Sequence, residues 1–426
     1  MKNKKTIVVV GGGFAGLAFI KGLASSHKYN IILVDINNYN FFPPLIYQVS
    51  TGFMEPSAIS YPYRKILRNK ENVRFRLGSL EKVNTSENKI ILNNGELNYD
   101  ILVMATGTET NFFGNKNIEE KSLPMKTISD ALALRNIIFT RLDRATRLTT
   151  KAQRKKLLTF VIAGAGPTGV ELSGIFSEMR THILRKDYPE LNDEDLGEIY
   201  LIDGQDAVLA AMSKKSQKYT YQKLIQLGVK IKLKTLVKDF KKDTVYLSDQ
   251  TEIETENLIW AAGISAKTFE GFYKDSYGRG KRLKTNVYNL VEGYYNIYAL
   301  GDSAIIYGDQ EYPNGHPQLA QPALQQAKNL AKNLSLNNKS WKPFNYKDKG
   351  SLAIIGRNKA VMDAPKHAFF IKGFIAWFIW IFVHIMGLVN FKNKFRTFYN
   401  WIGYYIYKDQ YFRMIISPSD RKVKEE

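Results

Sequence analysis

A G-x-G-x-x-G pattern occurs twice in this chain, at Gly11, Gly13 and Gly16 and again at Gly164, Gly166 and Gly169. It restricts the fold more than any other feature. Each copy follows a short apolar run, IVVV at 7–10 and FVIA at 160–163. Such a run, with no polar alternation, suits a strand buried on both faces. The glycines then turn the chain into a helix whose unpaired N–H groups and positive dipole end favour a phosphate. A second strand follows each helix, NIILVD ending at Asp35 and EIYLID ending at Asp203. A carboxylate in that place can accept hydrogen bonds from both hydroxyls of a ribose.

The repetition goes further. YDILVMATG closes at Gly107 and ENLIWAAG at Gly263, so the spans from first to closing glycine, Gly11 to Gly107 and Gly164 to Gly263, nearly match. The expected fold class is therefore α/β, with two Rossmann-like dinucleotide-binding modules. Asp203 is the weaker ribose assignment, because THILRKDYPELNDEDLG before its strand exceeds a minimal crossover. No Arg or Lys follows Asp203 before Lys214, which favours a free 2′-hydroxyl and so NADH over NADPH. A third landmark, YNIYALGDSA, delivers Gly301 and Asp302 to a tight turn. Asp302 there either caps a following helix or serves a ligand.

With 426 residues the chain has room for two or three domains. Cysteine is absent, which excludes disulfides, thiolate metal sites and any thiol relay. The five histidines form no local ligand motif, so no metal is expected. The net charge of +21 is spread along the chain, and no nucleic-acid-binding signature accompanies it. An anionic membrane surface is the better partner for that charge. Residues 1–5 run straight into the first strand without a secretory signal, so folding in the cytoplasm is expected.

Taken together, GGGFAGL, FFPPLIYQVSTG, ATGT, AGAGPTGVELSG, WAAGI, YALGD and AQPALQQA make the chain resemble the two-dinucleotide-binding-domain flavoproteins. Within these it is most similar to the type II NADH dehydrogenases, single-subunit NADH:quinone oxidoreductases that do not pump protons. The resemblance implies an FAD domain at 1–112 and 264–365, an inserted NADH domain at 113–263, and a C-terminal membrane-association region at 366–426. It implies that Gly11, Gly13, Phe14, Ala15, Gly16, Asp35, Thr106 and Gly107 hold the ADP half of FAD and Asp302 the ribityl chain. Ala320 and Gln321 would present main-chain groups to the flavin ring. Gly164, Gly166, Pro167, Thr168, Gly169, Asp203, Ala262 and Gly263 would hold NADH. Ala320, Gln321 and Gln325 occupy the family's quinone-binding AQ-x-x-x-Q pattern, although Gln325 also reads as an exposed helix residue. Glu171 reads as first-turn dipole complementarity or, by resemblance, as a catalytic carboxylate near nicotinamide and flavin. Gln48 stands where many relatives carry Glu, which puts a proton-handling carboxylate there in doubt. A homodimer is expected by analogy.

Two dinucleotide modules in one chain imply hydride transfer from a nicotinamide to a flavin. With no cysteine, the reduced flavin must deliver directly to an external acceptor. The C-terminus suggests a membrane quinone. Residues 373–391 carry no formal charge and would reach about 28 Å as one helix. A second segment sets Phe395, Phe398, Ile402, Tyr405 and Ile406 at helical spacing. A soluble core helix, a transmembrane helix and a pair of interfacial helices are all open. The interfacial pair fits best, with Lys392, Lys394, Arg396, Lys408 and Arg413 facing anionic lipid on the cytoplasmic face of the inner membrane. The alternatives are a soluble NADH-dependent reductase of ferredoxin, rubredoxin or oxygen, and a non-catalytic FAD/NADH-binding redox sensor.

Overall fold

The computed structural model describes residues 4–26, 28–336, 340–407 and 412–416. The chain forms two units, one of Met1–Phe41, Tyr61–Glu109 and Ile264–Lys349, the other of Phe42–Ser60, Thr110–Gly263 and Gly350–Glu426. Five helices bear on function: α1 (Phe14–Leu23), α2 (Pro167–Met179), α3 (Ala320–Ser335), α4 (Phe374–Gly387) and α5 (Phe391–Tyr407).

The first unit is built on a parallel sheet ordered Ile297–Ala299, Ile101–Met104, Lys5–Val10, Tyr29–Asp35, Val73–Leu77. The alternation of strand side chains explains why its apolar runs are unbroken. Ile7 and Val9 pack with α1 and α3 on one face, while Val8 and Val10 pack on the other with the antiparallel strands Leu80–Asn84 and Lys89–Leu92.

The second unit repeats this plan. Its parallel sheet is ordered Leu123–Pro124, Asn257–Trp260, Phe160–Ala163, Ile199–Ile202, Val229–Lys232. In both sheets the four strands of the repeat lie in the order fourth, first, second, third. The fifth strand comes from outside the repeat, after it in the first unit and before it in the second. Both also insert a three-stranded antiparallel sheet between third and fourth strands, 80–98 and 237–254, each with a register shift in its first strand. The long excursion before Ile199 is absorbed by a π-helical turn, Arg180–Leu184, and a short helix, Arg185–Asp187.

Also in the second unit, Ser351–Gly356 lies across α2. A Cβ on Gly174 would stand 1.8 Å from the Ile355 carbonyl oxygen, so glycine is what permits this approach. The uncharged 373–391 run does not form one helix. α4 ends at Gly387, and α5 starts at Phe391. At 14 residues α4 reaches about 21 Å. Among the described residues no helix is long and apolar enough to cross a membrane, which removes the transmembrane reading for them.

Candidate functional site: two cradled helix starts and a buried carboxylate

The two glycine turns match bond for bond. Gly11 N–H donates to Val34 O at 2.8 Å and Gly164 N–H to Ile202 O at 2.7 Å; Ala105 N–H donates to Val10 O and Ala261 N–H to Ala163 O. The first glycines take φ of +98° and +103°. The third glycines permit the helix to press on the turn, since a Cβ on Gly16 or Gly169 would fall 1.9 or 1.8 Å from the first glycine's oxygen. The middle glycines differ in kind. A Cβ on Gly13 or Gly166 would meet no atom within 4 Å, so these two face open space in front of the helix.

Helix capping separates these starts from four other helices, though not from α4, whose start at Gly373 also lacks a side-chain cap. Asn115, Thr127, Thr150 and Ser213 each cap their helix with a side-chain oxygen. The starts of α1, α2 and α3, at Gly13, Gly166 and Leu319, have no side-chain cap. Their orphan N–H donors remain available to an anion. In α3 the third residue is Pro322, so the donors concentrate at Ala320 and Gln321.

Asp35 and Asp203 also correspond. Asp35 accepts from Gly12 N–H (2.7 Å) and Asn37 N–H (2.8 Å), and Asp203 from Ala165 N–H (2.6 Å) and Gln205 N–H (2.7 Å). Each carboxylate thus braces its glycine turn with one oxygen and the chain just after its own strand with the other, leaving further lone pairs for a ribose. Burial pushes Asp35 above its ordinary pKa despite bonds from Asn37, Gly12 and Tyr63. Tyr63, which donates to Asp35 Oδ2 at 3.2 Å, and Asn40, which donates to Gly12 O at 2.9 Å, escaped the sequence reading. No local pattern marks them.

Thr106 Oγ1 is buried with no hydrogen-bond partner. An orphaned hydroxyl is costly, and it lies in the Ala105–Gly107 segment against the first turn. Together with the uncapped α1 and the open side of Gly13, it fits a bound dinucleotide. Phe14 and Ala15 open α1, and Pro167 and Thr168 open α2. Ala262 and Gly263 follow the strand that abuts Gly164, as Gly107 follows its counterpart. Asp302 does not cap an α-helix: Gly301–Ser303 is a 3₁₀ turn followed by the strand Ala304–Ile306. Gln318 Nε2 donates to the Asp302 carbonyl, and Gly301 N–H to Gln326 Oε1.

Gln321 and Gln325 begin a stripe of amides four residues apart, continued by Asn329 and Asn333, that holds the extended segment 342–349. Gln321 Oε1 accepts from Lys349 N–H. Gln325 pairs with both the N–H (3.0 Å) and C=O (2.8 Å) of Lys347. Asn329 and Asn333 donate to Lys342 O, and Asn333 accepts from Lys342 N–H. Gln325 is therefore neither a bare surface residue nor an uncommitted ligand group; both ends of its amide serve a latch.

In the second unit, Glu171 lies beyond the first turn of α2, which starts at Pro167. Dipole complementarity, confined to that turn, does not explain it. The residue is 8% exposed. Burial raises its pKa well above the carboxylate range, offset slightly by the Ile354 backbone and the Trp380 indole, although Trp380 Nε1 makes no well-formed hydrogen bond. Trp380 stacks on His384 (3.9 Å) and lies 5.5 Å from Trp401. Trp401 Nε1 donates to Gln48 Oε1 at 2.8 Å, and Gln48 Nε2 donates to Tyr47 Oη. Gln48 is thus a buried bridge between Trp401 and Tyr47. Its amide donates one bond and accepts the other, which an ionised carboxylate could not do.

α4 and α5 are amphipathic in the reverse sense. α5 buries Asn393, Thr397 and Trp401 and exposes Phe395, Phe398, Ile402 and Ile406. Asn393 Nδ2 reaches the carbonyls of Ser57, Ala58 and Ser60. α4 buries Ala376 and Trp380 and exposes Phe374, Ile375, Phe378, Phe382 and Met386. Of the expected lipid-facing cations, Arg413 is paired with Asp187 at 2.8 Å and Arg396 bonds Ser57 Oγ; Lys408 lies outside the described residues.

Comparison with known proteins agrees with this geometry. Residues 5–327 match the family model described as pyridine nucleotide-disulphide oxidoreductase, and 349–408 match the NDH2 C-terminal domain. The chain is 33% identical over 416 residues to the type II NADH:quinone oxidoreductase Ndh of Mycobacterium tuberculosis, covering 94% of this chain and 88% of that one. It is 32% identical to NdhA of the same organism, covering 94% and 87%. Among solved structures, NDH2 from Plasmodium falciparum in complex with NADH has the same fold, with TM-score 0.88 at 22% identity over 97% of this chain and 100% of that chain. With both its nucleotide-binding region and its C-terminal domain matched, this chain belongs to the type II NADH:quinone oxidoreductase family.

Proposed function

We infer that this chain is an NADH:quinone oxidoreductase that holds FAD at the first glycine turn, takes NADH at the second, and delivers electrons to a quinone in the membrane. The observation that carries this reading is the bond-for-bond repetition of two uncapped, glycine-wrapped helix starts. FAD, when bound, supplies a centre that takes up a hydride equivalent and gives up two electrons. The rest falls to the chain's own residues.

At the first turn, Gly11 to Gly16 bring the α1 N–H groups to a pyrophosphate, Asp35 holds a ribose, and Thr106 Oγ1 gains its missing partner. Asp302 serves the ribityl chain, and the N–H groups of Ala320 and Gln321 face the flavin ring. At the second turn, Gly164 to Gly169 and Asp203 do the same for NADH, with Ala262 and Gly263 at its margin. Residues 1–112 and 264–365 serve FAD, 113–263 NADH, and 366–426 the membrane. Glu171, whose pKa burial raises, orients the reduced cofactor or the quinone. The latch at Gln321 and Gln325 fixes the start of α3 beside the quinone.

The outward apolar faces of α4 and α5 support peripheral attachment to an anionic membrane. A soluble ferredoxin or oxygen reductase has no need of exposed phenylalanines on two successive helices. Attachment at the cytoplasmic face and a homodimer follow from the resemblance. The test is direct: NADH must bleach the flavin of the purified protein, and a short-chain quinone must restore its colour. Failure of either step refutes the reading.

A further inference from the structure

Acidic residues are missing from two long stretches of this chain. None lies between Asp206 and Asp239, where eight lysines stand, and none between Asp363 and Asp409, which enclose six lysines and arginines. The fold of the second unit brings parts of the two stretches together.

The helix Lys214–Gln226 lies between the strands Ile199–Ile202 and Val229–Lys232 of the second parallel sheet. Its start is bolted to the strand Lys359–Asp363. The Asp363 carboxylate, 1% exposed, accepts from Ser213 N–H (2.6 Å), Ser213 Oγ (2.7 Å) and Ser216 Oγ (2.8 Å). The middle of the helix meets Phe370–Lys372, the strand that leads into α4. There the Tyr219 ring lies 6.5 Å from that of Phe370. A Cβ added to Gly373, the residue before α4, would stand 3.8 Å from Tyr219 Oη.

The ammonium groups of Lys223 and Lys372 both lie over the Tyr219 ring, 5.6 and 5.4 Å from its centroid. The negative ring face attracts each of them, but it does not cancel their charge. Lys230 and Lys232, at the next strand, are paired with Glu198 and Asp249. Among the described residues no carboxylate pairs with Lys223 or Lys372, and Lys223 Nζ donates instead to Gln226 Oε1. Lys215, four residues before Tyr219 and so on its face of the helix, is exposed, as is Lys218. Apolar groups border these lysines. Phe369, Phe374 and Ile375 are exposed where the chain enters α4, and the helix itself exposes Tyr221 and Ile225, four apart. Ammonium groups at phosphate level with aromatic and aliphatic side chains beside them suit a helix lying on a bilayer.

We propose that the helix Lys214–Gln226 is a membrane contact in its own right: with Lys372, its Lys215, Lys218 and Lys223 form a basic shelf that meets the phosphates of an anionic bilayer beside the apolar face of α4. The shelf rests on the peripheral attachment read from α4 and α5. It adds that the second parallel sheet bears on the membrane through one of its own helices. Like charges gathered around one ring repel each other, and lipid phosphates relieve that repulsion. The contact is therefore electrostatic and screened by salt.

Co-sedimentation of the flavin-loaded full chain with phosphatidylglycerol and with phosphatidylcholine vesicles tests the shelf. Each lysine at an anionic surface contributes about fivefold to affinity, so Lys218→Gln, Lys223→Gln and Lys372→Gln together should weaken binding to phosphatidylglycerol about 100-fold at low salt. At high salt the difference from wild type should shrink. The same three positions changed to Arg keep the charge and should bind like wild type. A control with the same loss of charge elsewhere in the second unit, Lys116→Gln, Lys121→Gln and Lys155→Gln, should bind clearly better than the shelf variant. The shelf is refuted if the Gln variant binds like wild type, if the control loses as much, or if the Arg variant loses as much. Wild type that binds neither kind of vesicle removes the attachment itself; wild type and Gln variant that bind phosphatidylglycerol equally remove the shelf alone.

Discussion

The middle glycine of the second turn allows the nucleotide site to be tested without disturbing the fold. Gly166 has φ −71° and ψ −174°, a conformation open to any residue, and an added Cβ meets nothing within 4 Å. Gly166→Ala is therefore expected to cost only about 0.5–1 kcal/mol, the difference between glycine and alanine as N-caps. The methyl instead fills the approach through which a pyrophosphate reaches the α2 N–H groups. Losing one hydrogen bond to a charged group costs about 1.5–3 kcal/mol, or about a 10- to 150-fold loss of NADH affinity. Gly169→Ala is the contrasting change. Its Cβ would stand 1.8 Å from Gly164 O, where ordinary contact begins at 3.4 Å, so turn and helix must part and stability must fall by about 1–3 kcal/mol or more. Thermal unfolding without ligand, paired with NADH titration, measures both effects. If Gly166→Ala binds NADH like wild type, or melts as early as Gly169→Ala, the assignment of open space at Gly166 to a pyrophosphate is wrong.

Further outcomes follow from the same structure. Gln325→Ala removes two hydrogen bonds to Lys347. It should destabilise the protein by about 1–2 kcal/mol in denaturant titrations, with a smaller proportional change in the KM for quinone. Asn393→Leu strips the carbonyls of Ser57, Ala58 and Ser60 of their shared donor; a loss of about 1–3 kcal/mol is expected in the same assay. Phe378 and Phe382 are each 61% exposed. Replacing both by Lys should weaken co-sedimentation with anionic vesicles by tenfold or more, since each buried phenylalanine contributes about 1.5–3 kcal/mol, and should leave the melting temperature unchanged. Glu171 has a folded pKa raised by burial, so wild type is favoured at low pH and loses stability as pH rises towards that folded pKa, by up to about 1.4 kcal/mol per pH unit. The stability of Glu171→Gln relative to wild type should accordingly grow from pH 5 to pH 8; a constant difference would contradict the burial argument.

The sequence alone determined the two sheets, their glycine turns and the acids at Asp35 and Asp203, because buried strands, tight turns and uncapped helix starts are dictated by neighbours within a few residues. Even the repeat of spans between Gly11 and Gly107 and between Gly164 and Gly263 was visible, since it needs only counting. What the sequence could not reveal was how polar groups are spent. That Gln325 also spends its amide on Lys347 shows only in the structure, and Asp302 reads as a helix cap until a strand follows it. The break at Gly387 divided a run that hydropathy alone leaves continuous. Glu171 became a buried acid only in the folded chain, where burial raises its pKa and groups about 180 and 210 positions further on, the Ile354 backbone and the Trp380 indole, offset part of that rise. Desolvation is the sum over everything packed around a group, and that packing exists only in the tertiary structure.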